Sequence, residues 1–150
     1  MLLHAFAAIS KLDPRLRLIM AGPDQVGWQA ELEQIGATLG ISAKLVWPGM
    51  LTGTSKWGAF YASEAFVLPS HQENFGIVVA EALACGRPVL ITKSVNIWQE
   101  VLAAGAGTVA EDTVEAISQQ LIDWNCLPNS AKQEMGHKAL KCFYEHFEIE

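Results

Sequence analysis

Five short, predominantly apolar runs constrain this chain more than any other feature: LRLIMA at 16–21, KLVW at 44–47, AFVL at 65–68, VLIT at 89–92 and GTVA at 107–110. A strand wetted on one face alternates polar and apolar residues, whereas a strand covered on both faces reads as a continuous apolar run. Between these runs lie segments with apolar residues at helical spacing. Strands buried on both faces and alternating with helices pack as a parallel sheet with helices on either side. The expectation is an α/β, Rossmann-like single domain over 1–150.

The helices follow from periodicity and punctuation. Leu2, Leu3, Phe6, Ile9 and Leu12 form one face, and Asp13-Pro14 ends it. Trp28, Leu32, Ile35 and Leu39 mark a second helix stopped by Gly40. Ser55 is the expected cap of a helix carrying Phe60 and Tyr61. Residues 77–85 form a helix closed by Gly86 and Pro88, and 97–104, 114–124 and 131–147 complete the set. Asp24 reads as a turn residue or cap.

The composition is 51% hydrophobic and 17% charged, ample for a core and too apolar for disorder. The net charge of −6 comes without a basic stripe, which argues against duplex DNA or an anionic membrane as partner. No apolar run approaches the roughly 18 residues of a membrane span. MLLHAFAAISKL lacks a basic start and a cleavage site, so it reads as an amphipathic helix and not a signal peptide. Cys85, Cys126 and Cys142 are odd in number and widely spaced, and His4, His71, His137 and His146 do not fall at zinc-like intervals with them. The three cysteines are expected to be packing or surface residues in a reducing, cytoplasmic setting.

Glu81 is the only polar side chain in IVVAEALAC, and a buried carboxylate needs a partner. It either leaves the packed face or meets something polar at a cleft. In parallel sheets, ligands lie beyond the carboxyl ends of the strands. The loops at 22–24, 48–49 and 69–76 occupy that position. A helix starting near Phe75 or Gly76 presents free N–H groups there, suited to a diphosphate, and Gly76 permits close approach. Glu73, in the preceding loop, suits sugar hydroxyls. Glu81, eight residues on and about 12 Å away if the rise is helical, cannot touch the same atoms. Two acceptors flanking anion donors fit the length of a nucleotide-sugar. The plainer readings remain open: a solvated loop glutamate, an exposed helix carboxylate and an ordinary helix-start glycine.

These residues resemble a known family. ENFGIVVAE followed by ALACGRPVL looks like the E-x7-E region of retaining GT-B glycosyltransferases, family 4 or "group 1". LRLIMAGPD, LVWPGML, YASEAFVLPSHQENFG, IWQEVLAAGAGTVA and MGHKALKCFYEHF resemble its successive segments. The resemblance implies one half of a GT-B fold, the donor-binding domain. Glu73 would bind donor-sugar hydroxyls and is the candidate catalytic residue. Asn74, Phe75, Gly76 and Ile77 would offer backbone groups to sugar and diphosphate. Glu81 would bind the ribose, Gly22 would line the nucleotide pocket, and Trp47 would lie by the base.

The resemblance further implies a nucleotide-sugar donor, no metal or other cofactor, and an acceptor that is a glycan, lipid or small molecule. A location in the cytoplasm, including the inner face of its membrane for the whole enzyme, fits. An Arg/Lys pair that neutralises the diphosphate in the family matches nothing here. Lys93 and Arg87 are the nearest basic residues and neither takes that role. The chain is therefore expected to lack an N-terminal acceptor domain and the first strand of its own sheet, and not to turn over alone. A non-catalytic nucleotide-sugar module, a sugar-nucleotide epimerase or phosphorylase of the same fold, and an interaction domain without ligand are the rival readings. His71 and Glu100 read as surface residues, Trp28, Trp57, Trp98 and Trp124 as packing, and Glu111, Asp112 and Glu115 as a solvated helix start.

Overall fold

A computed structural model describes residues 1–150 except Gln25, Asn74, Phe75, Ile149 and Glu150. The elements are α1 (Leu2–Leu12), β1 (Leu18–Ala21), α2 (Trp28–Thr38), a 3-10 turn (Ser42–Lys44), β2 (Leu45–Gly49), α3 (Gly53–Ala62), β3 (Phe66–Leu68), α4 (Ile77–Ala84), β4 (Val89–Thr92), α5 (Trp98–Ala104), β5 (Gly107–Ala110), α6 (Val114–Cys126) and α7 (Asn129–His146). All five runs are strands, and every pairing between them is parallel.

Helices cover both faces. Leu3, Phe6 and Ile9 of α1 pack with Ile117, Leu121 and Trp124 of α6, joined by Leu32 and Ile35 of α2 and by its C-cap Leu39. This layer meets Leu18, Leu45, Val67 and Leu90 from the strands. The opposite layer gathers Phe60 of α3, Val79 and Leu83 of α4, Val101 of α5 and Ala139 and Cys142 of α7 against Val89 and Ile91. Strand β4 is buried at every residue, as a strand sandwiched between helical layers must be. The buried amide of Gln120 ties α6 to the sheet, its Nε2 donating to the carbonyls of Ile91 at 3.1 Å and Thr108 at 3.0 Å.

The hydrogen-bonded ladder differs from the single sheet expected. It divides into β1-β2 and β3-β4-β5, with no ladder joining β1 to β3 among the described residues. The division has a topological correlate. The β1-to-β2 crossover runs through α2 on one face, while β2-to-β3, β3-to-β4 and β4-to-β5 run through α3, α4 and α5 on the other. Right-handed crossovers therefore add strands in opposite directions on either side of a point between β1 and β3. Such a reversal opens a crevice at the carboxyl ends of the strands.

Ser55 is not a cap. Helix α3 starts at Gly53 after an extended Thr52, which leaves Ser55 inside the first turn. Asp24 does serve α2, accepting from Gln29 N–H at 3.1 Å. Thr113 caps α6 by accepting from Ala116 N–H, with Glu115 in the favoured acidic first turn. Cys85 and Cys142 are buried thiols and Cys126 an exposed one, all free. Burial pushes the Cys142 thiol up to about 11, so it is an inert packing group.

Candidate functional site

Pro69 ends β3 and turns the chain across the carboxyl ends of β4 and β5. The hydroxyl of buried Thr92 donates to the Ser70 carbonyl. Three residues on, Glu73 is fixed by its backbone: its N–H donates to Ser94 O at 3.0 Å, and Asn96 N–H donates to its carbonyl at 3.2 Å. Glu73 and Val95 thus form an isolated parallel bridge. These bonds fix the Glu73 main chain at the strand ends, and among the described residues no hydrogen bond or ion pair engages its carboxylate. Asn74 and Phe75 lie outside the described residues.

Charged groups cluster around this loop. His71 Nδ1 lies 3.0 Å from Asp112 Oδ2, and Ser94 Oγ approaches the same oxygen at 3.5 Å. The His71 hydrogen bond is the main cause holding the Asp112 carboxyl below its ordinary value. Lys93 pairs with Glu111. Asp112, read from sequence as merely a solvated helix start, is therefore joined across β4 and β5 to the residue two before Glu73.

Gly76 is the N-cap of α4, with φ +72°. A Cβ there would lie 3.3 Å from both Val79 Cγ2 and Val95 Cγ1. The glycine is required by its left-handed backbone and by packing on Val95, a reason independent of any ligand's approach. Beyond it, Ile77 and Val78 are exposed at the helix mouth, and their N–H groups meet no acceptor among the described residues. Those donors carry the positive end of the helix dipole.

Glu81 lies one turn further along. Residues 77–81 are helical, which places Glu81 about 6 Å along the axis of α4 from Ile77. Glu81 does have the partner its apolar surroundings demand: Lys56 of α3 donates from Nζ to Oε1 at 2.7 Å. Sequence reasoning missed Lys56. The available signal was its position one turn before Phe60, which places it on the inward side of α3.

Gly22 follows β1, its N–H donating to Gly49 O at 2.9 Å, so the loops after β1 and β2 are tied together at the strand ends. Gly22 and Glu73 thereby follow the two strands, β1 and β3, between which the direction of strand addition reverses. Trp47 points elsewhere. It packs on the α1–α2–α6 layer and lines a shallow depression of about 250 Å³ with Glu33, Ser42 and Leu45. Glu81 and Lys56 belong to helices on the other face, so Trp47 and Glu81 are not brought together. A second depression, about 300 Å³, lies beside β5 and α6 and includes Thr108, Gln120 and Asp123 but neither glutamate.

Other sequence readings sort plainly. Arg87 is structural, donating to Ser63 O at 3.0 Å and Cys85 O at 3.3 Å. Trp124 and Trp98 pack, but Trp28 is 67% exposed and does not. Glu100 is not an ordinary surface residue: its Oε2 is buried with no hydrogen-bond partner among the described residues. Among those residues no three His, Cys, Asp or Glu side chains assemble as metal ligands, and no helix is long and apolar enough to cross a membrane.

Comparison with known proteins agrees with this layout. The profile of the family described as glycosyl transferases group 1 matches residues 1–141. A D-inositol 3-phosphate glycosyltransferase of Geodermatophilus obscurus is 30% identical over 148 residues, 91% of this chain and 33% of that protein. The chain spans 21–24% of three further such relatives. Among solved structures, the C-terminal domain of a group 1 glycosyl transferase family protein (LpcC) of Francisella tularensis superposes with a TM-score of 0.82 at 20% identity, covering 99% of this chain and 78% of that one. Anabaena HepE, solved in complex with UDP, gives a TM-score of 0.82 at 20% identity over 97% of this chain and 41% of its own.

Proposed function

The chain belongs to the glycosyl transferases group 1 family, and from that premise we propose that it is the donor-binding domain of a retaining, nucleotide-sugar-dependent glycosyltransferase. The observation that carries the reading is the placement of Glu73 and of residues 76–81. A glutamate whose main chain is clamped at the strand ends, a glycine-capped helix mouth whose first amides meet no acceptor among the described residues, and a second carboxylate one turn inside succeed one another in the order of a sugar, a diphosphate and a ribose. Complex formation of HepE with UDP supports a nucleoside diphosphate as the ligand class.

In this reading Glu81 accepts from ribose hydroxyls and Glu73 from hydroxyls of the transferred sugar. The amides following Gly76 meet the diphosphate. As the sugar–phosphate bond breaks, charge grows on the leaving diphosphate, and donors aimed at that site stabilise it more than the ground state. No metal is assigned a role. The acceptor would be bound by a second domain of the whole protein. The break between β1 and β3 supports a further strand from sequence preceding α1, bringing the cationic pair of the family with it.

Isothermal titration of this chain with UDP, GDP and ADP, then with their hexose conjugates, tests the binding role. One nucleotide should bind saturably, and its hexose conjugate more tightly. No binding of any of them at millimolar concentration overturns the reading. For the whole protein, NMR of the transfer product should show the anomeric configuration of the donor retained, with EDTA leaving the rate unchanged.

A further inference from the structure

We propose that Lys56 is a positioning residue for nucleotide binding: it orients the Glu81 carboxylate toward the ribose without touching the nucleotide. The inference rests on the reading of Glu81 given above.

Glu81 is the single charged residue of α4, and its side chain is only 22% exposed. Its neighbours on the helix, Ala80 and Ala82, are buried and apolar. Nothing on its own helix holds the carboxylate, and a glutamate left to itself has three side-chain torsions to distribute. Lys56 supplies the constraint from outside. It reaches across from α3, 25 positions earlier, to Oε1 at 2.7 Å, the length of a charge-assisted hydrogen bond. Its own side chain is 34% exposed, and its ammonium lies 4.9 Å from the centre of the Trp57 ring, so it too is held. The pair is screened by protein on several sides, unlike the exposed pairs Lys138–Glu134 and Lys141–Glu145 on α7.

The bond occupies one oxygen. Among the described residues, no hydrogen bond reaches Glu81 Oε2. A carboxylate with one oxygen engaged by a fixed cation and the other open is an acceptor for a vicinal diol with much of its entropy of orientation already removed. Lys56 thus acts through Glu81, in the way outer partners orient the ligands of other polar sites. A direct cation contact to the diphosphate is the competing arrangement, and it predicts different behaviour.

Titration calorimetry of this chain with whichever of UDP, GDP or ADP binds tightest separates them, with the matching 2′-deoxy nucleotide as second probe. Lys56→Met should weaken the ribonucleotide about tenfold, the worth of one charged hydrogen bond, and weaken the 2′-deoxy nucleotide, which keeps only its 3′-hydroxyl, by clearly less. Lys56→Arg, which keeps a donor, should restore most of the affinity. In a Glu81→Gln background, Lys56→Met should add little, because both changes remove the same interaction. An equal loss for both nucleotides, or additive losses in the double variant, overturns the positioning role and favours direct phosphate contact. Full affinity in Lys56→Met also overturns it. If Glu81→Gln itself binds as wild type and discriminates the 2′-deoxy nucleotide equally, the role of Glu81 has failed instead. Circular dichroism of Lys56→Arg and Lys56→Met confirms that folded proteins are compared.

Discussion

Glu73 and Val95 are paired main chain to main chain, so the backbone that carries this glutamate in the loop after β3 is anchored to the loop after β4. The anchoring atoms are Glu73 N and O, which bond Ser94 and Asn96. The side chain takes no part in them. Structure and chemistry are therefore separable at this position.

Glu73→Gln keeps both main-chain bonds and removes only the charge. Its unfolding free energy from urea titration should match wild type within about 0.5 kcal/mol, as for surface substitutions generally. Affinity for the nucleoside diphosphate should be unchanged, while the added affinity conferred by the hexose should fall about tenfold. Titration with UDP and UDP-glucose, or the corresponding pair for another base, measures the difference. Equal loss for both would move Glu73 from the sugar to the nucleotide.

Gly76→Ala should be destabilising for a stated reason. An L-residue at φ +72° costs about 1–2 kcal/mol, and the new methyl meets Val79 and Val95 at 3.3 Å. A total of about 2–3 kcal/mol in urea unfolding is expected. Nucleotide binding should weaken with it, since the first amides of α4 turn with the cap. A variant as stable as wild type would mean that the cap can relax into a right-handed start.

How far the sequence could be read follows from the range over which each feature is decided. Helix and strand ends were legible wherever Pro or Gly marks them, as at Asp13-Pro14, Gly40 and Gly86. Strand edges marked only by polarity were less so: the run at 16–21 yields a strand only from Leu18, and the Arg17 guanidinium before it donates back to the carbonyls of Pro14 and Leu16. The division of the sheet was not legible, since ladder continuity depends on which strands neighbour one another, not on any one strand's pattern. Lys56 and Asp112 were missed because each finds its partner through packing between elements 25 and 41 residues apart in the chain. The need for a partner at Glu81 was nevertheless visible in its apolar neighbourhood, and only the partner's identity was not.

Asp13 sets an acid-dependent contribution to stability. Its carboxylate accepts from Arg15 N–H and guanidinium, at 3.0–3.1 Å, where α1 ends. The Arg15 side-chain hydrogen bond is the principal cause that lowers its pKa to about 2. A carboxyl whose folded value lies below its unfolded one, about 3.9, stabilises the fold above pH 4. That contribution declines as pH falls from about 4 towards 2. Asp13→Asn should therefore be less stable than wild type at pH 6, and the two should converge by pH 2. Urea midpoints at both pH values test this, and parallel curves for the two proteins would contradict it.

Gly107 opens β5 opposite Val89 of β4, and here the sheet itself leaves no room for a side chain. A Cβ built on Gly107 would stand 1.9 Å from the Val89 carbonyl oxygen, a distance no side-chain rotation relieves because the main chain fixes both positions. Gly107→Ala must push β5 away from β4 at the first rung. That rung lies under α5 and α7, beside buried Ala106 and Val101. The loss combines a strained pair with disturbed packing on a fully buried strand, and about 3 kcal/mol or more is expected. The same change also displaces the end of β5, which carries Glu111 and Asp112 toward the Glu73 loop. Urea unfolding should thus show a large drop in stability for Gly107→Ala, and any folded fraction should bind nucleotide-sugar more weakly than wild type. A variant that keeps wild-type stability would show that β5 can leave the ladder at little cost.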